Sequence, residues 1–203
     1  MEKHTRKFNL PVVAILTGFA FAIGGLFKTF LELYLGTENN VFIVTWFGFL
    51  VQSAIGMAVL AFLLRRHYPF RKLWLAGTSA FALGILFPAL LLKQFIYAIL
   101  FFPGLLVGMF FRMLLNEQSK RESLLFMITL GFLICNIMVS TIQNDIPGTV
   151  WLLEHLGPSS VTILFHMVID IVIGFFVALG VGLMIRRRNQ ESKCADNNEI
   201  ITE

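Results

Sequence analysis

Residues four apart form a stripe through the last long apolar run of the chain: Thr162, His166, Asp170, Gly174, Ala178 and Gly182. On a helix they share one slowly winding face, drifting about 40° per step. The first half of the stripe is polar and ionisable; the second half is small. A carboxylate one turn from an imidazole can hold its tautomer, which suits a proton relay or the binding of a ligand. The same two groups could instead be a buried hydrogen-bonded pair that docks helices. A metal site would require a third strong ligand, and none is close in sequence, so no metal is expected.

Four other polar residues interrupt apolar runs. Lys28 and Glu32 are four apart and can pair on one helix face, either as a local ion pair or with Lys28 reaching the pocket of Asp170. Gln52, followed by Ser53, falls mid-run, and Asn136 and Ser140 lie one turn apart in another run. Asp170, His166, Asn136, Lys28, Glu32 and Gln52 are therefore the candidate ligand-binding or proton-relay residues. Ser140, His166 and Asp170 form no recognisable triad, because nothing in the sequence orients them. A nucleophile elbow, an HExxH helix, a phosphate loop and a GxGxxG turn are all missing. No catalytic residue or cofactor is expected, and the chain does not read as an enzyme. A lipid-directed acid/base enzyme using His166 and Asp170 is the weakest reading, since nothing completes its site. Cys135 lies in an apolar run and Cys194 in a polar tail, so no disulfide between them is expected.

The elements that must carry these groups are membrane helices. Of 203 residues, 57% are hydrophobic and 14% charged, against about 25% charged in a soluble domain. Apolar segments cover residues 8–35, 41–64, 73–92, 95–115, 124–142 and 161–185, each about long enough to cross a hydrocarbon core. The first follows a basic head like a signal peptide, but is too long for one and reads as a retained span. Pro103 should kink the fourth span, where Gly104 and Gly108 form a close-packing pair. Between the fifth and sixth spans, residues 149–156 read as a short interfacial helix anchored by Trp151 and stopped by Gly157-Pro158. The fold expected is all-α: a polytopic membrane protein with six transmembrane helices in one domain, 1–188, and a disordered cytoplasmic tail, 189–203.

Orientation follows from charge. With both termini cytoplasmic, every one of the 16 Lys and Arg residues except Lys28 and Lys93 falls on the inner side. His166 then lies about 8 Å, Asn136 about 9 Å and Asp170 about 14 Å below the outer edge. Lys28 and Glu32 share the outer half, and Gln52 is near mid-depth. One outward-facing polar pocket above a tightly packed inner half is thus geometrically allowed. The reading is a small-solute binding or transport component of the cell (plasma or inner) membrane. The alternative is a non-catalytic regulator or assembly partner acting through helix packing. Expected partners are membrane lipids, a small-molecule ligand or a membrane protein; nucleic acid is not expected, because the basic residues sit in short clusters beside apolar runs. In size and span number alone, the layout is similar to the substrate-binding subunits of energy-coupling-factor vitamin transporters, without a motif that carries that family.

Overall fold

An apolar run in lipid can satisfy its backbone internally only as a helix or in a closed barrel, and this chain takes the helical solution. The structure, a computed structural model, describes residues 8–37, 40–92, 101–115, 122–143 and 158–201. Among them are six helices and no strand: α1 (Leu10–Leu35), α2 (Val41–Leu63), α3 (Phe70–Leu92), α4 (Phe101–Leu115), α5 (Glu122–Gln143) and α6 (Pro158–Ile201). Among the described residues, three stretches are long and apolar enough to cross a membrane: Leu10–Leu35, Ile43–Leu63 and Ile163–Gln190. Shorter apolar helices occupy Pro103–Leu115 and Ser123–Val139.

Pro11 stands in the opening turn of α1, where a missing N–H costs no intrahelical bond. The stretch before Phe101, which the expected kink at Pro103 would join to α4, lies outside the described residues. The expected interfacial helix at 149–156 lies outside the described residues. α6 continues through Arg186–Arg188 to Ile201. An established helix extends cheaply, one hydrogen bond for each residue fixed, and polar composition alone does not stop it.

Each helix packs on the next in sequence, and α6 returns to pack on α1, closing a ring. α1 runs antiparallel to both of its neighbours. Towards α2 it sets Phe21 against Gly56, Gly24 against Gln52, and Lys28 against Gly48. Towards α6 it sets Leu10 against Gly182, Phe21 against Gly174, and Gly25 against Asp170. Across the ring, the ring centroid of Phe21 is 5.3 Å from Phe81 on α3, and that of Phe81 is 6.2 Å from Phe132 on α5. All three rings are buried, so an aromatic plug joins alternate helices. On the side of the plug nearer Phe8, Leu60, Leu64, Leu73, Phe111, Leu124 and Ile185 are fully enclosed in one continuous core. Gly104 and Gly108 face Phe132 and Leu125 of α5, consistent with a close-packing role.

Candidate functional site

On the other side of the plug, the α1/α2/α6 interface turns polar. The structural reason is a pair of adjacent glycines in α1 that face different neighbours. A Cβ on Gly24 would stand 2.7 Å from Cα of Gln52 on α2, while one on Gly25 would overlap Oδ2 of Asp170 on α6. Without side chains at both positions, α1 wedges between α2 and α6, and polar groups from those two helices meet beside it.

The meeting is direct. Nε2 of Gln52 donates to Oδ1 of Asp170 at 2.5 Å, and both residues are buried. A hydrogen bond of this kind is worth more in a dry interior than at a surface. It leaves Gln52 Oε1 buried with no hydrogen-bond partner among the described residues, and His166 Nδ1 likewise. Buried polar atoms are ordinarily paired with protein, water or a ligand.

Nearly one turn along α1 from Gly25, the buried Lys28 lays its stem on Gly48 and holds Nζ 4.3 Å from the ring centroid of Phe49. The same Nζ is 3.6 Å from Oε1 of Glu32. The Thr29 hydroxyl donates to the Gly25 carbonyl at 3.0 Å, which satisfies it inside its own helix. Lys28 therefore pairs within α1 and rests its head on a ring of α2.

Of the residues singled out from the sequence, Asp170 and Gln52 are in contact, and Lys28 and Glu32 line the same interface. His166 is half-buried on the same helix as Asp170, but the carboxylate bonds to Gln52 instead. Asn136 is half-buried on α5 and makes no side-chain hydrogen bond among the described residues. Gly24, Gly25 and Phe49 had not been singled out. Nor had Cys135 as a neighbour of this site, although its Sγ donates to the carbonyl of Ile169 at 3.6 Å, beside Asp170. A Gly-Gly pair inside a long apolar run was the available signal for the close approach. Nothing in the sequence announced Phe49 or Cys135.

The arrangement offers a carboxylate, an amide oxygen, an imidazole nitrogen and an ammonium–carboxylate pair. These can bind polar groups or pass protons. No three His, Cys, Asp or Glu side chains gather as a metal set among the described residues. In comparisons with known proteins, the chain matches no protein family, no curated protein and no solved structure.

Proposed function

We propose that this chain is a multi-pass protein of the cell membrane that binds or transports a small polar solute at a site between α1, α2 and α6. In this reading all six helices span, both termini are cytoplasmic, and the site faces outward. Four features support the topology: three helices of spanning length and composition, the closed ring of sequential neighbours, the antiparallel course of α1 against α2 and α6, and the basic residues grouped at the Phe8 end.

One observation carries the functional reading. Beside the Gln52–Asp170 bond, two buried polar atoms, Gln52 Oε1 and His166 Nδ1, are left without partners. Leaving such groups unmade costs stability, and a solute with complementary donors would recover that cost. The packed core and aromatic plug beneath suit a site that takes its ligand from one side only. Native mass spectrometry of the whole protein released from mild detergent tests this. A small-molecule adduct on the wild type, lost in Asp170→Asn while the fold persists, is the expected result. A wild type carrying no adduct, or an Asp170→Asn protein carrying the same one, would overturn it.

A second reading has its own support in the fit of Gly25 against Asp170, which leaves no space for a ligand at that carboxylate oxygen. Here the polar contacts are packing devices, and the protein works as a membrane regulator or assembly factor through its helices. It predicts a membrane protein that co-purifies under gentle detergent, with Asp170→Asn tolerated in function.

A further inference from the structure

At the far end of the bundle from Asp170, cations of α3 and α6 lie over aromatic rings of the α1 start and the α2–α3 connection. The guanidinium of Arg186 on α6 lies 5.5 Å from the ring centroid of Phe8, just before α1, and its Nη2 is 3.5 Å from the Phe8 carbonyl oxygen. The Phe8 ring in turn lies 5.0 Å from His67 in the α2–α3 connection. Next to His67, the buried ring of Tyr68 has Lys72 Nζ of α3 and the Arg188 guanidinium of α6 each at 5.9 Å. Arg65, Arg66 and Arg71 border the same connection and are exposed, as are Lys72 and Arg186. No Asp or Glu occurs anywhere from residue 39 to residue 116. The cations of the α2–α3 connection thus have no acidic neighbour in their own segment to neutralise them.

We propose that this junction of the α1 start, the α2–α3 connection and α6 is a seat for the phosphate headgroup of an anionic phospholipid. The site needs the chain to be in a membrane but is independent of the Asp170 site. Guanidinium and ammonium groups oriented from several sides recognise a phosphate through charge-assisted hydrogen bonds. The rings of Phe8 and Tyr68 fix where the cationic heads lie, so they form a shaped site rather than a diffuse fringe. The choice of a lipid over a free phosphate comes from the surface that leads away from it. Val12, Ile15, Leu16 and Phe19 project from the first turns of α1 and are 45–54% exposed, a ridge along which an acyl chain can lie. The headgroup seat and the apolar ridge begin at the same end of α1. A bound lipid would bridge the cations of the α2–α3 connection and of α6, which otherwise repel one another by like charge.

The test is thermal unfolding of the full chain in mild detergent, with dioleoyl phosphatidylglycerol, dioleoyl phosphatidylcholine or inorganic phosphate added. Phosphatidylglycerol is expected to raise Tm by about 5 °C and the other two to leave it unchanged. Arg186→Gln should lose at least half of that increment and Arg186→Lys should keep most of it. Because Arg186 also holds the Phe8 carbonyl, Lys72→Gln is the second variant; it should lose a similar share with the starting Tm preserved. Arg112→Gln, which removes an exposed cation on α4, should keep the full increment. Equal stabilisation by both lipids, an equal loss in Arg112→Gln, or the same gain from inorganic phosphate would each overturn the proposal.

Discussion

The carboxylate of Asp170 on α6 occupies the space that a side chain on Gly25 of α1 would fill. In an ordinary helix interior, Gly→Ala is stabilising by about 0.5–1 kcal/mol, because glycine loses the most backbone freedom on folding. Here the sign should reverse. Gly25→Ala forces the carboxylate away from Gln52, and overpacking of this kind costs about 1–3 kcal/mol. Gly24→Ala should cost more, since its Cβ meets the backbone of Gln52, which cannot rotate aside as a side chain can. Thermal melts of the two variants in the same detergent check both the sign and the order.

The Gln52–Asp170 bond yields a mutant cycle. Asp170→Leu strands the whole Gln52 amide in the interior, a cost of about 1–3 kcal/mol. Adding Gln52→Leu removes the stranded group and should recover most of that loss. Asp170→Asn keeps an oxygen that can accept from Gln52 Nε2, so its melt should stay near wild type. A double leucine variant no more stable than Asp170→Leu alone would show that the bond does not couple these helices.

These contacts mark how much the sequence disclosed. Apolar runs broken by charged loops identify membrane helices because a backbone in lipid has so few ways to be satisfied. A lone carboxylate such as Asp170 in one of those runs is conspicuous for the same reason. Its partner was not legible. His166 is one turn away in sequence, yet the bond goes to Gln52, 118 residues distant. That choice is made by which helices adjoin, and Gly24 and Gly25 decide it by letting α1 sit close to two neighbours. The helical course of α6 beyond Arg188 has a different origin. Residues 189–201 carry no apolar periodicity of their own and take their helix from the span before them.

Phe21 should be the most sensitive large side chain in the bundle. Its ring is fully buried, lies against the glycines of two helices, Gly56 and Gly174, and heads the contact chain through Phe81 to Phe132. Phe21→Ala opens a cavity where both glycines have nothing to offer in its place, so about 3–5 kcal/mol should be lost. Phe21→Leu should lose far less, since most of the volume returns. Denaturation midpoints for the two variants against wild type measure the difference.

Topology can be read with the native cysteines. Cys135 is fully buried at the α5/α6 contact, and Cys194 lies beyond the arginine cluster that the inner-positive pattern assigns to the cytoplasm. A membrane-impermeant maleimide should therefore leave intact cells unlabelled and react at Cys194 only in inverted vesicles. Cys135 should stay unreacted in both until the protein is denatured. In a background without Cys194, Asn9→Cys should follow the inverted-vesicle pattern if the proposed topology, with both termini on one face, holds, and Thr37→Cys at the opposite end of α1 should label in intact cells. The arginines on either side of the α2–α3 connection and at the end of α6 make the reverse orientation costly, since each would have to be carried across the hydrocarbon core. Labelling of Asn9→Cys and Cys194 from opposite faces would rule out an even number of spans. The outward-facing site would then lose its basis, while the Gln52–Asp170 bond would stand.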